Sequence, residues 1–324
     1  MTDSEHLIAT MDNRVRRRDD RREFFKAAFG VGAFAVGGAA ALSFSTKASA
    51  QAITDADILN FALNLEYLEA QFYAIAATGS YLSTTLTGGG NGTTAAGTVV
   101  GGRPVTFRDP VVAQYAREIA ADEIAHVTFL RSAGALGTAA VAMPNIDIRG
   151  GAGGPFGAAA AAAGLSPSFD PYADDASFLL GAYIFEDVGV TAYKGASPLV
   201  QNRTFLQAAA GILAVEAYHA AIVRTTLYGL GVETPSLRSA ADAISNARDS
   251  LDGPNDLDQG ISPVTLSGAL VSNIVPADPV SAIAFSRSPQ QVLNIVYLNN
   301  AAATMGGFFP NGVNGNIRGG IASL

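Results

Sequence analysis

The chain has no cysteine and no tryptophan, only three histidines, and only 15% charged residues among its 324. Without cysteine there is no disulfide, no thiolate nucleophile, no zinc–thiolate site and no iron–sulfur cluster. Three histidines leave imidazole chemistry few places to sit. What the chain has in quantity is apolar: 49% hydrophobic residues, with 35 glycines among the rest. Such a chain is too apolar to stay disordered and long enough to bury a sizeable core, in one or two domains.

The first fifty residues read differently from the rest. Residues 14–26 are RVRRRDDRREFFK, an Ala- and Gly-rich apolar run extends to about Phe44, and Ala48-Ser49-Ala50 offers an A-x-A cleavage site. This is the three-part layout of a secretory signal. Within it, Arg21-Arg22-Glu23-Phe24-Phe25-Lys26 resembles the twin-arginine export signal. The resemblance implies that residues 1–50 are a signal peptide handled by the twin-arginine machinery. That route carries folded proteins, often with a cofactor inserted, to the bacterial periplasm or beyond it. The alternative is an N-terminal membrane anchor, although the run is short and diluted by glycine for a spanning helix. No later segment reaches about 18 apolar residues without interruption, so no membrane span is expected after cleavage.

Of the chain's 20 basic and 28 acidic residues, the first fifty hold 8 and 6; the remaining 12 and 22 leave residues 51–324 at net −10. So acidic a chain is a poor partner for nucleic acid or an anionic membrane. Its glutamates number seven (Glu66, Glu69, Glu118, Glu123, Glu186, Glu216 and Glu233), and its histidines two, His126 and His219.

Four segments with helical periodicity carry most of them: about Thr54–Ala77, Asp109–Ala133, Asp174–Lys194 and Asn202–Tyr228. Thr54 and Asp57 form a capping-box pattern, Asp109-Pro110 supplies an N-cap followed by proline, and glycines follow the first two segments. Each apolar stripe is interrupted by a carboxylate: Glu66 beside Leu59, Ala62, Ala70 and Tyr73; Glu123 beside Ile119 and Leu130; Glu186 beside Leu179 and Val190; Glu216 beside Ile212 and Val223. A buried carboxylate is costly unless paired, hydrogen-bonded or bound to a cation. Two of the four belong to Glu-x-x-His pairs, Glu123/His126 and Glu216/His219. Residues three apart on a helix share a face, so each pair offers a carboxylate and an imidazole to neighbouring points. By chance alone, both histidines would have such a partner roughly once in a thousand chains of this composition, and four Glu with two His is the ligand inventory of a di-metal carboxylate bundle. The competing reading, surface Glu–His pairs on two helices, leaves the apolar stripes through these positions unexplained.

With this pattern the segment 54–229 resembles the ferritin-like superfamily, which includes rubrerythrins, bacterioferritins and manganese catalases. More closely, it is similar to exported ferritin-like proteins grouped with fungal stress-response and plant desiccation-related proteins. The resemblance implies an all-α, ferritin-like four-helix bundle over residues 51–230, with a long crossover between its second and third helices. It implies a metal set of Glu66, Glu123, His126, Glu186, Glu216 and His219, with Glu123 bridging two iron or two manganese ions. Tyr73, seven residues beyond Glu66, takes the place of the tyrosine beside such sites. For Tyr73, Tyr115 and Tyr193 the alternatives are core packing and hydrogen bonding to oxygen at the metals, the latter best for Tyr73. Glu69 is expected at the rim of its helix, or else as an additional ligand or a hydrogen-bond partner of one. Asp122 and Asp187 adjoin ligand positions and point away from them, toward solvent or into hydrogen bonds with the ligands.

The connections are long. Residues 78–108 and 134–173 are Gly-rich, and the run Ala158–Ala163 reads as a short helix or a spacer. Residues 231–324 form a C-terminal extension with one or two further helices, Leu237–Leu251 and a second starting at Ser288-Pro289. The extension is expected to pack on the bundle or build a homo-oligomer interface, and it argues against a 24-subunit storage cage. Two functions fit: a di-metal oxidoreductase acting on peroxide, oxygen or ferrous iron, as in manganese catalase or ferroxidase, or a non-catalytic stress- and desiccation-protective envelope protein in which the metal staples the bundle.

Overall fold

In a computed structural model residues 53–322 are described; the expected signal peptide, residues 1–50, lies outside them. Helix α1 (Asp55–Thr78) begins where Thr54 Oγ1 accepts from Asp57 N at 3.2 Å and Asp57 Oδ2 accepts from Thr54 N at 2.8 Å. It ends at Gly79, whose φ of 77° is the left-handed conformation glycine adopts without strain. Helix α2 (Pro110–Arg131) starts on the Asp109 cap, and α3 (Pro155–Ala162) turns the alanine run into a short helix. The long helices α4 (Asp175–Ala196) and α5 (Arg203–Glu233) follow, capped by Asp174 and Asn202.

The contacts between these helices fix their directions. Glu66 of α1 meets His126 of α2; the chain after α2 returns to the start of α1, where Asn60 Nδ2 donates to Ala139 O, and the chain before α2 lies at the end of α1, where Val105 N donates to Ala76 O, so the two helices run in opposite directions. Tyr73 of α1 meets Glu186 of α4 while Glu66 meets Tyr193, so α4 also runs opposite to α1. Helices α2 and α4 therefore run the same way, which is possible only through a crossover. The segment between them contains α3 and the two-residue strand β2 (Ile146–Asp147). β2 pairs in parallel with β1 (Val99–Val100) from the α1–α2 connection. That pairing ties two Gly-rich loops together, and no hydrophobic periodicity announces it.

Helices α1 and α4 are the inner pair. From Ile58 to Ala76 and from Phe178 to Tyr193 every residue is buried, as expected of helices apolar on all sides. Their outer faces are covered by the C-terminal extension, made of α6 (Ser236–Asp252), a hairpin of β3 (Val264–Leu266) and β4 (Ala269–Val271), α7 (Pro289–Val296) and the closing loop. Phe72 of α1 sits among Tyr73, Phe156, Tyr172, Phe178 and Phe185 with ring centroids 5.1–5.8 Å apart, and Phe308 of the closing loop stacks edge-on against Phe156 and Phe185. Asn314 and Asn64 exchange two hydrogen bonds of 2.9 Å, returning the end of the chain to α1.

Buried ion pairs hold the extension to the bundle. Asp187 of α4 accepts from Arg224 of α5 at 2.7 Å and from Arg248 of α6 at 2.9 Å. Arg248 also reaches Asp258 at 2.7 Å, and Arg287 joins Asp252 at 2.5 Å and Asp258 at 2.9 Å. The expectation that Asp187 faces solvent or a metal ligand is thus corrected: it is buried and bound to two guanidiniums. Both partners come from segments distant in sequence, which the periodicity of α4 could not reveal. Gly195 serves the same junction, since a Cβ there would lie 1.8 Å from the Arg287 carbonyl oxygen.

Candidate metal centre

Each of the four long helices delivers its carboxylate to one point in the bundle. Glu66, Glu123, Glu186 and Glu216 are at most 1% exposed, and His126 and His219 are buried beside them. Their donor atoms fall into two sets, each within a span that fits one metal ion: Glu66, Glu123, His126 and Glu216 in the first, and Glu123, Glu186 and His219 in the second. Glu123 belongs to both. His126 Nδ1 lies 3.2 Å from Glu66 Oε2, 3.6 Å from Glu123 Oε2 and 3.5 Å from Glu216 Oε1. His219 Nδ1 lies 3.1 Å from Glu123 Oε1 and 3.7 Å from Glu186 Oε2. The sequence placed these six residues on four helices, and the bundle brings all six together.

The two imidazoles offset part of the buried carboxylate charge, but the hydrogen bonding around them is incomplete. Both oxygens of Glu123, both of Glu216, Glu186 Oε2 and His219 Nδ1 are buried with no aligned hydrogen-bond partner. Native proteins leave only a few such atoms per hundred residues, spread through the fold rather than gathered at one place. Six around one point, all good ligands for hard or borderline cations, fit a pair of metal ions. Room for Glu216 comes from Gly189 on α4, where a Cβ would stand 2.4 Å from Glu216 Oε2.

Neighbouring side chains orient the donors. The Tyr73 hydroxyl donates to Glu186 Oε1 and the Tyr193 hydroxyl to Glu66 Oε1. Each leaves the second oxygen of its carboxylate facing the cluster. Tyr193, for which core packing was the plainer expectation, thus has the same relation to Glu66 that Tyr73 has to Glu186. Tyr115 is only partly buried. Asp122 Oδ2 lies 3.1 Å from His219 Nε2, so the carboxylate beside the second helix's motif fixes the imidazole of the fourth and leaves Nδ1 toward the cluster.

Glu69 departs from the rim position expected for it. It is 5% exposed and borders a cavity of about 20 Å³ together with Leu68, Phe185, Val188, Val296 and Phe308. The walls contributed by α7 and the closing loop turn this edge of α1 into interior, and one helix's periodicity cannot register a cover supplied more than 200 residues away. Glu69 is outside both donor sets.

The protons follow from burial and charge. Burial raises Glu66 to about 7, with repulsion from Glu123 adding to it, and raises Glu186 to about 8. Burial pushes Glu216 and Glu69 well above the carboxylate range, with Glu123 again contributing. For Glu123 burial acts upward too, but hydrogen bonds and charge from His126 and His219 outweigh it and hold the group at about 2. Burial disfavours the imidazolium of His126, yet Glu123 and Glu66 carry it to about 11; Glu186, Glu123 and Asp122 carry His219 to about 9. Both folded values lie above the ordinary imidazole pKa of about 6.5. The stabilisation these imidazolium ions give the metal-free protein is therefore full below about pH 6.5 and is lost as pH climbs through 9 and then 11. Metal ligation requires neutral imidazole and ionised carboxylate. Metal uptake at pH 7 is accordingly expected to expel one proton from each imidazolium, with further protons from Glu186 and Glu216, and to weaken as pH falls. Titration calorimetry in buffers of different ionisation enthalpy counts those protons; a count of zero would show that the imidazoles begin neutral and the carboxylates ionised.

The ferritin-like domain family matches residues 54–229, from the cap of α1 to near the end of α5. The chain belongs to that family. Among curated relatives, it is 29% identical over 277 residues to "Ferritin-like catalase Nec2" of Nesocodon mauritianus, covering 81% of this chain and 84% of that one. It is 31% identical over 250 residues to "Desiccation-related protein PCC13-62" of Craterostigma plantagineum, covering 74% and 76%. Both alignments are longer than the 54–229 bundle. No solved structure matches the chain.

Proposed function

We propose that this ferritin-like protein binds two manganese or iron ions through Glu66, Glu123, His126, Glu186, Glu216 and His219, and that it disproportionates hydrogen peroxide to water and dioxygen. The observation that carries the reading is the set of six buried donor atoms at one point, none with an aligned hydrogen bond. A metal pair of this kind supplies two oxidising equivalents and takes them back, as the reaction of two peroxide molecules requires. The chain's own residues do the rest. Tyr73 and Tyr193 keep their protons, because burial and the adjacent carboxylates raise both phenols well above their ordinary range. They therefore act as fixed donors that hold Glu186 and Glu66 in place, and Tyr73 is the residue assigned to the catalytic surroundings. Asp122 holds His219 in one tautomer. A relative of similar length named as a ferritin-like catalase supports peroxide as the substrate.

The twin-arginine pattern at Arg21-Arg22 supports export of the loaded, folded protein to the periplasm or beyond. The test is a metal assay combined with oxygen-electrode measurements on protein reconstituted with manganese or iron. Two ions per chain, with one dioxygen released for every two peroxides consumed, is the expected result. Two ions without oxygen release would favour a structural staple in a protective protein, in keeping with the desiccation-related relative. Less than one ion per chain would overturn the metal site.

A further inference from the structure

Helix α5 combines length and apolarity with exposure. It is the one helix among the described residues long and apolar enough to cross a membrane, yet only 33% of its most apolar stretch is buried. Between Thr204 and Val232 its only charged residues are Glu216 and Arg224, and both point inward. The outward side carries Ala210, Gly211, Ala214, Ala217 and Ala221, with Tyr218 standing 70% exposed among them. Helix α2 lies alongside, joined to α5 through Glu123–His219 and His126–Glu216, and shows Val111 and Phe129 on its own outward side. Helices α1 and α4 have their outer faces covered by the C-terminal extension; α6 meets α5 beside Tyr228 and Gly231, but the outward sides of α2 and α5 have no cover among the described residues.

We propose that this face is where a second copy of the chain docks, across a two-fold axis. Size supports it: at 1.5 Å rise per residue and about 10 Å per helix width, α5 with α2 beside it presents roughly 800 Å². That is about what each partner gives up in a stable interface. Charge supports it as well. The chain is net −8, so copies repel one another over most of the surface, while the outward side of α5 sets no like charges in opposition. On α2, Arg117 and Glu118 are adjacent and exposed, and such a pair is self-complementary under two-fold symmetry. A membrane surface fits less well, because an interfacial helix recruits Lys and Arg along its polar margin, and here Glu118 and Asp122 stand beside Arg117. The small residues allow the helices to approach closely, with Tyr218 entering the partner's alanine-lined surface. His126 and Asp122 border the same face, so pairing also shields the metal-site cluster from solvent.

Sedimentation velocity on the full chain decides the matter without reference to metal or activity. The expected species has twice the chain's 33.1 kDa mass. Ala214→Glu and Ala221→Arg, each placing a charge on the face without touching the core, are expected to shift it to the single-chain mass with an unchanged circular dichroism spectrum. Leu270→Glu, replacing an exposed apolar side chain of the β3–β4 hairpin, is expected to leave the dimer intact. A wild-type monomer at micromolar concentration, a dimer that persists in both α5 variants, or a monomer that instead co-floats with phosphatidylglycerol vesicles would each overturn the proposal.

Discussion

Glu123→Ala is expected to empty both metal positions. Glu123 is the one carboxylate common to the two donor sets, and neither of its oxygens has another aligned partner. Removing any other glutamate strips one set of one donor; removing Glu123 strips both. Loss of residues that merely orient a ligand typically weakens metal binding 10- to 100-fold, so loss of the shared ligand is expected to cost at least about 100-fold. A metal assay after reconstitution should fall from two ions to under one per chain. Glu118→Ala, an exposed position on the same helix, supplies the control and should leave the metal content unchanged. Retention of two ions by Glu123→Ala would remove the bridging role. The variant has a second consequence, for the metal-free protein. Glu123 is the largest upward influence on the His126 pKa, so without it His126 should titrate well below about 11, in a direction NMR can read.

Arg287→Ala is expected to be the most damaging change away from the centre. Its guanidinium is wholly buried between Asp252 and Asp258 and also donates to Thr191 Oγ1 at 3.2 Å, joining the α7 end of the extension to α4. Truncation leaves Asp252, whose other oxygen already lacks a partner, buried with an uncompensated charge. Breaking a buried pair by removing one member costs about 3–5 kcal/mol. At about 2–4 °C per kcal/mol for a domain of this size, the apparent Tm should drop by roughly 6–20 °C. Arg203→Ala, at the exposed start of α5, should barely move it. A shift for Arg287→Ala no larger than that control's would show that the extension is held by its apolar contacts alone. The contrast with Glu123 is informative: one variant is expected to lose metal, the other to loosen the cover of α1 and α4.

Much of the centre was legible in the sequence because its signal is local. Glu-x-x-His is a spacing within one helix, and a glutamate inside an apolar stripe is visible from periodicity alone. Helices α1, α2, α4 and α5 lie within a few residues of where caps, prolines and stripes placed them. The Asp122–His219 contact, the Tyr193–Glu66 hydrogen bond and the burial of Glu69 and Asp187 were not legible in the same way. Each depends on which helix lies beside which, or on cover from residues beyond 245. Helix α5 marks another boundary. Its uninterrupted apolar length is limited by Glu216 and Arg224, so the sequence argued against a membrane span; the fold shows that both charges point inward and that the outward side is nearly uncharged.

The sequence by itself determined the elements and the chemistry on offer: four amphipathic or wholly apolar helices, six metal-seeking side chains, and no thiol. It could do so because helix formation and stripe composition are set within about one turn of the chain. Only the tertiary structure decided that the six side chains share one point with Glu123 in both donor sets, and that α1 and α4 are sealed from solvent. Those outcomes rest on packing between segments as much as 250 residues apart, such as Asn64 with Asn314, and on buried charges like Asp187 that must find partners wherever the fold provides them.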